Sequence, residues 1–207
     1  KIVGGIDVDA TSLMKAFYGS FVETVVTVSS PRAAEMAKLL ENTYRHVNIA
    51  LVNEIAILCH DLGIDVWEVI GAASTKPFGY QPFYPGPGWG GHCIPVDPYY
   101  LIRYGRENGF EHQFLKAARQ VNNRMPIYTV ERIEEALGAQ ELGLSGTAVT
   151  LLGLAYKRDV PDMRGSPALA IREELARRGA SVRTFDPFAI ETSTARTLEE
   201  ALQGSSA

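Results

Sequence analysis

The sequence has few cysteines, no long apolar run and no excess of positive charge. Only Cys59 and Cys93 occur among 207 residues, which argues against a disulfide scaffold and favours a reducing cytoplasm. No apolar stretch approaches the roughly 18 residues that a membrane span requires, and Lys1–Gly5 lacks the apolar segment of a signal peptide. A net charge of −4 argues against a nucleic-acid partner. We therefore expect a cytoplasmic globular protein with neither a membrane nor a nucleic-acid partner, and no metal site.

The chain also lacks the glycine pattern GxGxxG of a dinucleotide-binding strand–turn–helix unit. Its opening segment, 1–30, predicts a helix capped by Asp7 or Asp9 and a β-branched strand over 23–28. A single strand cannot form a stable sheet alone. We therefore expect residues 1–30 to be the end of a larger domain.

A long helix is predicted over 31–61. Ser30 and Pro31 form a typical helix start, and apolar residues then recur at three- and four-residue steps. At 1.5 Å per residue this helix would be about 46 Å long, and helices of this length are more often spines or oligomer interfaces than peripheral elements. Cys59 has apolar neighbours on this helix and is predicted to pack in the core.

The segment 74–98 is rich in proline, glycine and aromatic residues. A linker would explain the proline and glycine, but linkers are rarely so aromatic, and long irregular loops inside compact domains are usually functional. We expect a binding loop. A short helix over 66–73 precedes it, and helices over 97–108 and 113–137 follow, the first of them opened by Asp97–Pro98.

After residue 143 the pattern predicts a strand, a helix and a second strand, over 147–152, 166–178 and 181–185. This order is typical of a parallel, doubly wound sheet. Another helix starts near 198, and too few strands are present for a complete sheet.

These segments predict an α/β fold in three parts. Residues 1–30 would be the end of a missing N-terminal domain. Residues 31–142 would form a mostly helical central domain with a long spine helix. Residues 143–207 would form part of a doubly wound, Rossmann-like domain.

Cys93 follows a glycine-rich run, 88–91, and comes just before the predicted helix start at Asp97. Glycine lets the backbone pass close to a ligand, and the N–H groups at a helix N-terminus favour a thiolate. A reactive thiol is one interpretation. The other is a buried structural cysteine, which is the usual fate of a free thiol.

Other polar residues also have two interpretations. Asp97 would cap the predicted helix, or would order water or a base beside the thiol; the roles do not exclude each other. Lys38 and Asn42 share a helix face and could stabilise an oxyanion, although a solvated surface pair is simpler.

A basic loop follows the strand over 147–152 and precedes a helix start. It contains Tyr156, Lys157 and Arg164. Basic groups at the end of a strand and beside a helix N-terminus suit a phosphate. A solvated basic loop is the alternative.

Three segments, in order, resemble the UDP-glucose/GDP-mannose dehydrogenase family. The most specific is PGPGWGGHCIPVDPYYL at 85–101, and the others lie at 38–54 and 153–167. The resemblance extends over essentially the whole chain, and three motifs in the right order make a chance match improbable.

The resemblance implies an enzyme that oxidises the C6 alcohol of a nucleotide sugar to a carboxylate in two NAD-dependent steps. The GGHC form with its PGPG lead-in is similar to the branch that acts on UDP-N-acetylhexosamines. The segments 74–80 and 94–98 favour UDP-N-acetylglucosamine as substrate, with UDP-N-acetylmannosamine the close alternative.

The resemblance also implies catalytic roles. Cys93 would attack the C6 aldehyde to give a thiohemiacetal, and a second oxidation would give a thioester that water hydrolyses. Lys38 and Asn42 would hold the oxyanion. Asp97 would assist proton transfer or position water.

Contacts with substrate, cofactor and partner follow from the same resemblance. Arg164 would reach the phosphates of NAD. Lys76 would serve the substrate of a neighbouring subunit, because the long helix is similar to the spine of the family's homodimer. The substrate-binding residues would be Tyr84, Gly86, Gly88, Gly90, Gly91, Lys76, Tyr156 and Lys157.

The chain departs from the family's pattern at both ends. The NAD-binding domain with its GxGxxG is missing, and the UDP-binding domain stops partway, so we expect this chain alone to be inactive. A non-catalytic nucleotide-sugar-binding or dimerisation module is the alternative hypothesis. The thiol favours an enzyme, because binding alone does not need one.

Overall fold

The computed structural model describes residues 1–207, which form two compact units, Lys1–Arg45 and His46–Ala207. The mixed α/β class is confirmed. The helices are α1 (Val8–Gly19), α2 (Pro31–Asp61), α3 (Val66–Ala73), α4 (Cys93–Glu107), α5 (Phe114–Gly138), α6 (Pro167–Arg177) and α7 (Leu198–Leu202). The strands are β1 (Ile2–Val3), β2 (Val26–Thr27), β3 (Ala148–Leu152) and β4 (Ser181–Phe185), and a turn of 3-10 helix covers Ile190–Thr192.

In the first unit, β1 and β2 pair in parallel and α1 connects them. Asp7 caps α1, because its carboxylate accepts a hydrogen bond from the Ala10 N–H at 2.7 Å. The first of the two predicted caps is therefore confirmed. The length of the strand predicted over 23–28 is wrong, since only two of these residues pair with β1.

The long helix α2 has the predicted bounds. Ser30 is its N-cap, with Oγ accepting a hydrogen bond from the Ala33 N–H at 3.2 Å. Beyond its C-terminal end, Gly63 has a φ of +68°, a conformation that favours glycine and ends a helix. Cys59 is buried, as predicted. Neither α2 nor any other helix is apolar over a sufficient length to cross a membrane.

Helix α4 begins at Cys93, four residues before the predicted start, so Asp97 is not an N-cap. Pro98 lies inside the helix and is buried. A proline within a helix leaves the carbonyl four residues earlier without its donor, and here that carbonyl belongs to Ile94. The buried His46 ring contacts it through Nδ1 at 3.2 Å and supplies the missing donor, which explains why the helix continues through the proline.

The main apolar core lies between α5, α6 and the parallel pair β3–β4. Ala148 lies opposite Ser181 and Leu152 lies opposite Phe185. Helix α5 runs through Pro126 without a break. Apart from α4, the helices and strands of this unit lie within about two residues of their predicted bounds. The buried members of the core are Val130, Leu137, Leu144, Val149, Ile171, Leu175 and Ala180.

One buried carboxylate joins the loop after β3 to the end of β4. Asp186 accepts hydrogen bonds through Oδ2 from the N–H groups of Leu154 at 2.7 Å and Ala155 at 2.9 Å. Its Oδ1 accepts from the Phe188 N–H at 2.9 Å. Burial by itself raises the pKa of this carboxyl, but the backbone donors outweigh burial and the net pKa is lowered. The charged form therefore holds the start of the loop that carries residues 156–158.

Replacing Asp186 by alanine should lower the free energy of unfolding by about 3 kcal/mol at pH 7, because three donors lose a charged acceptor. Urea unfolding followed by circular dichroism measures this loss. Since folding lowers the pKa of Asp186, its contribution is present above the ordinary carboxyl pKa of about 4 and is lost as the pH falls through the folded value. The difference between the two proteins should therefore shrink below about pH 4.

The matched control is Asp159→Asn, which changes an exposed carboxylate in the same loop. Asparagine tolerates the positive φ of 63° found there. The free energy of unfolding should change by less than about 0.5 kcal/mol. An equal loss of unfolding free energy in both variants, or a loss in Asp186→Ala that does not depend on pH, would contradict a stabilising role for the charged Asp186.

Candidate functional site

Cys93 is the first residue of α4, and its side chain is exposed. Its exposure excludes the alternative of a buried packing residue. The N–H groups in the first turn of a helix have no acceptor within the helix and attract negative charge. A negative charge that develops at or beside the Cys93 sulfur would therefore lie against this end of α4.

The glycine-rich loop before α4 packs against the C-terminal part of the chain at distances that require glycine. A Cβ placed on Gly90 would lie 2.5 Å from the Tyr156 Cβ and 3.0 Å from the Gly165 carbonyl oxygen. At Gly91, φ is +85° and a Cβ would lie 2.7 Å from the Tyr156 ring. The Gly91 N–H donates to the Arg164 carbonyl at 2.8 Å. Side chains at either glycine would push the thiol-bearing loop away from residues 156–166.

Two further glycines determine the course of this loop. Gly88 has a φ of +130°, and a Cβ there would lie 3.2 Å from the Pro167 side chain. The Gly86 N–H donates to Oδ1 of Asn53, a fully buried residue on α2, at 3.0 Å. A Cβ on Gly86 would meet nothing within 4 Å. At Gly86 it is therefore the backbone N–H that matters to the contact.

The loop after β3 places Arg164 near the thiol. The Tyr156 N–H donates to the Asp162 carbonyl at 3.0 Å, and the Arg164 side chain donates to both carboxylate oxygens of Asp162. The hydrogen bond from Arg164 is the largest cause that lowers the pKa of Asp162, to about 2. The same bond, together with the charge of Asp162, raises the pKa of Arg164. The Arg164 side chain remains 68% exposed, so part of the guanidinium can meet a ligand.

Positive groups therefore lie beyond the carboxyl end of β3, where an anion could bind. The Lys157 side chain is exposed, with its ammonium 5.9 Å from the centre of the Tyr156 ring. Helix α6 starts beside this loop and is capped by Ser166, whose Oγ accepts from the Ala168 N–H at 3.3 Å. A helix N-terminus next to exposed cations is a favourable setting for phosphate.

Lys38 and Asn42 lie on the part of α2 that belongs to the first unit. The Lys38 ammonium pairs with Glu41 at 2.7 Å and is exposed. Asn42 is buried, and its Oδ1 accepts a hydrogen bond from Arg45 at 2.6 Å. A solvated surface pair therefore describes Lys38 but not Asn42.

The other residues named from the sequence occupy three different settings. Asp97 is half-buried, one turn after the thiol on α4. Tyr84 is exposed, and its ring stacks on Trp67 with centroids 6.0 Å apart. Lys76 is exposed in the loop after α3. No group of three or more histidine, cysteine, aspartate or glutamate side chains is placed to hold a metal ion.

Sequence reasoning missed the buried polar residues that hold these loops. His46 and Asn53 are seven residues apart on α2, so they share one helix face. The amide of Asn53 donates to Oδ1 of Asn122 on α5 at 2.8 Å. Asp186 holds the loop after β3. Polar side chains on an otherwise apolar helix face are the signal that would have found the first two.

Two family models match this chain, one on each side of the contact between Gly90–Gly91 and Tyr156. Residues 32–124 match the central domain of the UDP-glucose/GDP-mannose dehydrogenase family, and residues 150–207 match its UDP-binding domain. The chain belongs to this family. The recognition from sequence motifs is thereby confirmed. The packing of Gly90 and Gly91 on Tyr156 joins the family's central domain to its UDP-binding domain.

Individual relatives have similar names. A UDP-N-acetyl-D-mannosamine dehydrogenase of Methanococcus maripaludis is 38% identical over 99% of this chain. A solved UDP-N-acetylmannosamine dehydrogenase from Pyrococcus horikoshii has a TM-score of 0.89 at 39% identity over 99% of this chain. A UDP-glucose dehydrogenase from Pyrobaculum islandicum has a TM-score of 0.82 at 35% identity over 92% of this chain.

The chain spans about half the length of the relatives it matches. It covers 47% of the Methanococcus maripaludis protein and of the Pyrococcus horikoshii chain, and 43% of the Pyrobaculum islandicum chain. The family relationship therefore applies to the parts that are present, the central and UDP-binding domains.

The glycine contact can be tested with Gly90→Ala. Its Cβ would overlap the Tyr156 Cβ and nearby backbone, so the loop should move away from residues 156–166. We expect a loss of about 1–3 kcal/mol in the free energy of unfolding, with faster hydrogen exchange of backbone amides in 88–97. Gly86→Ala is the matched control, because its Cβ would meet open space. Equal effects of the two substitutions would show that the close approach at Gly90 does not matter.

Proposed function

We propose that this chain supplies the thiol and the nucleotide-sugar contacts of an NAD-dependent UDP-N-acetylhexosamine 6-dehydrogenase. The observation that carries the proposal is the exposed Cys93 at the start of α4, on a loop packed directly against the UDP-binding domain. A thiol in this position is unnecessary for binding alone. It suits an enzyme that holds the sugar as a covalent intermediate.

The reaction follows from the chemistry of a thiol and an aldehyde. Oxidation of the C6 alcohol gives an aldehyde, and the Cys93 sulfur adds to its carbon to form a thiohemiacetal. Loss of a hydride from C6 and of the hydroxyl proton from the thiohemiacetal gives a thioester, which water cleaves to release the carboxylate and the free thiol. NAD would accept the two electrons removed in each oxidation, so one sugar yields two NADH.

The remaining roles belong to groups that stabilise charge or move protons. Lys38 and Asn42 would donate to the oxyanion of the tetrahedral intermediates, with Lys38 exchanging its pairing with Glu41 for the substrate. Asp97, one turn after the thiol on α4, would position the hydrolytic water or accept its proton.

Substrate and cofactor phosphates would meet the exposed cations of the UDP-binding domain. Tyr156 and Lys157 would contact the nucleotide sugar. The Arg164 guanidinium is exposed, and the Arg164 backbone contacts Gly91 in the loop that leads to the thiol, so this side chain fits a contact with the NAD phosphates. The loop glycines 86, 88, 90 and 91, together with Tyr84, would enclose the sugar and diphosphate. Lys76 would reach the substrate of a partner subunit.

The C2 configuration of the sugar separates two candidate substrates. Relatives named UDP-N-acetyl-D-mannosamine dehydrogenases, at 36–39% identity, favour UDP-N-acetylmannosamine. The motifs at 74–80 and 94–98 favour UDP-N-acetylglucosamine. We propose UDP-N-acetylmannosamine as the first substrate to test, because eight relatives with that name match most of the chain.

A homodimer through α2 completes the proposal. Large apolar side chains at steps of four and seven along this helix lie on one face and are exposed. An exposed apolar stripe of this length suits contact with another chain. Two further expectations from the sequence also stay predictions: the division of the chain into residues 1–30, 31–142 and 143–207, and the cytoplasmic location. The stripe consists of Met36, Leu40, Tyr44, Leu51 and Leu58.

The activity is tested with the longest open reading frame that contains this chain. Each UDP-sugar is supplied with NAD, and NADH is followed by its absorbance. We expect two NADH per sugar, no formation of the uronic acid in Cys93→Ala, and full turnover in the control Cys59→Ala, which changes a buried thiol. Turnover that survives Cys93→Ala would refute the covalent mechanism. Binding of the UDP-sugar without any NADH would favour the non-catalytic module.

The dimer is tested by light scattering of the 207-residue chain. We expect twice the chain mass, because the stripe on α2 would be buried between two copies. The double substitution Leu51→Glu/Leu58→Glu should give a monomer, since it places two charges in the proposed contact. Leu142→Glu, at an exposed position outside α2, is the control. A monomer before substitution would contradict the proposal.

A further inference from the structure

The helix that begins with Cys93 has a carbonyl that its own backbone cannot satisfy. Pro98 has no N–H, so the Ile94 carbonyl lacks its helical donor. His46, on α2, contacts this oxygen through Nδ1 at 3.2 Å. A carbonyl only accepts hydrogen bonds, so Nδ1 carries the proton. The second residue of α4 is therefore held by a side chain from another helix.

The same ring also contacts the middle of the glycine-rich loop. Its centroid lies 3.9 Å from that of Trp89, with the planes inclined by 35°. His46 is fully buried. Burial is the main cause that lowers the pKa of His46 to about 4, with the charge of Arg119 adding to it. The ring is consequently neutral at pH 7, with a proton on Nδ1 and none on Nε2.

The neutral ring has an energetic cost that packing alone does not explain. Nε2 is buried and has no hydrogen-bond partner. A buried acceptor without a donor is unfavourable, and leucine would fill similar space without that acceptor. Histidine is favoured over leucine at this position only through an interaction that an apolar side chain cannot make. Here that is donation to Ile94.

The other end of the loop has a matching contact. The Gly86 N–H donates to Oδ1 of Asn53, whose amide donates in turn to Oδ1 of Asn122 at 2.8 Å. The Asn122 amide donates to the His46 carbonyl at 3.2 Å. This buried chain of amides determines the orientation of Asn53, so that its oxygen faces the loop.

We propose that His46 and Asn53 are positioning residues for Cys93, which hold the two ends of residues 86–94 from one face of α2. His46 acts through the Ile94 carbonyl and the Trp89 ring. Asn53 acts through the Gly86 N–H. The effect on catalysis at Cys93 rests on the proposed function. That His46 and Asn53 hold residues 86–94 rests on the contacts alone.

The physical reason is the flexibility of a loop with so many glycines. Gly88 and Gly91 have positive φ values, and glycine gains more conformational freedom than other residues when contacts are lost. A displacement of about 1 Å at a reacting atom can lower a rate about 100-fold. Holding both ends of the segment therefore limits how far the Cys93 sulfur can move.

Hydrogen exchange of the 207-residue chain, read by mass spectrometry, tests the positions of the two contacts. His46→Leu should accelerate exchange about fivefold or more over 89–97, because a hydrogen bond contributes about 1 kcal/mol. Asn53→Ala should do so over 84–88. Exchange in β3, β4 and α6 should stay unchanged in both. His60→Leu is the matched control, a histidine on the same helix with an exposed side chain. Uniform acceleration throughout the chain, or none over 84–97, would overturn the proposal.

Two further variants separate the hydrogen bond from general packing. His46→Asn places an amide N–H near the position of Nδ1 and should restore slow exchange. His46→Leu/Pro98→Ala should do the same, because alanine at 98 supplies the helical N–H that Ile94 lacks. If His46→Leu alone fails to fold, the double variant should fold. A double variant no better than His46→Leu would refute the role assigned to the Ile94 carbonyl.

Activity of the longest open reading frame that contains this chain gives the catalytic readout. His46→Leu should lower kcat by about 100-fold with little change in KM, and the double variant should recover most of it. A rise in KM at constant kcat would overturn the positioning role. If Cys93→Ala still turns over, the proposed function fails, while the exchange pattern continues to decide whether His46 and Asn53 hold the loop.

Discussion

The site depends on a contact between backbone and side chain that has no room for a Cβ. Gly90 and Gly91 approach Tyr156 so closely that any larger residue would collide with it. Protein interiors are packed about as densely as organic crystals, so the surrounding residues have little free volume into which they could move to relieve the collision. The contact joins the central domain to the UDP-binding domain, and it determines where the thiol lies relative to the exposed cations of that second domain. The glycines are thus needed for proximity, as well as for the positive φ at Gly91.

Steric contact on one side of the loop is complemented by hydrogen bonds on the other. The close packing against Tyr156 limits where the loop can lie, and the hydrogen bonds from α2 orient its peptide groups. His46 and Asn53 reach the loop from α2, a helix whose ends are determined by a serine cap and a glycine with positive φ. A long, well-terminated helix is a rigid support, and functional groups on rigid elements are held more precisely than groups held by other loops.

Much of this arrangement was predictable from local sequence. Helix α2 and strands β3 and β4 follow from apolar periodicity and caps, and the glycine-rich loop follows from its composition. The start of α4 was placed four residues late, because Asp97–Pro98 was read as the beginning of the helix. The helix can contain Pro98 because His46, 52 residues earlier in the sequence, donates to the Ile94 carbonyl. No local sequence pattern indicates a hydrogen-bond donor that comes from so far along the chain. Asn53 and Asp186 were missed for the same reason, since each is defined by what packs against it.

The ion pair between Arg164 and Asp162, in the loop after β3, bears on whether Arg164 can bind a ligand. A guanidinium has five N–H donors, and Asp162 accepts from Nε and Nη2. The pKa of Asp162, about 2, keeps the carboxylate charged throughout the physiological range, so the pair persists. The Nη1 donors and one hydrogen on Nη2 are not engaged by Asp162, on a side chain that remains mostly exposed. The carboxylate therefore orients the guanidinium without saturating it, and an anion can bind to its open edge while the pair with Asp162 stays intact.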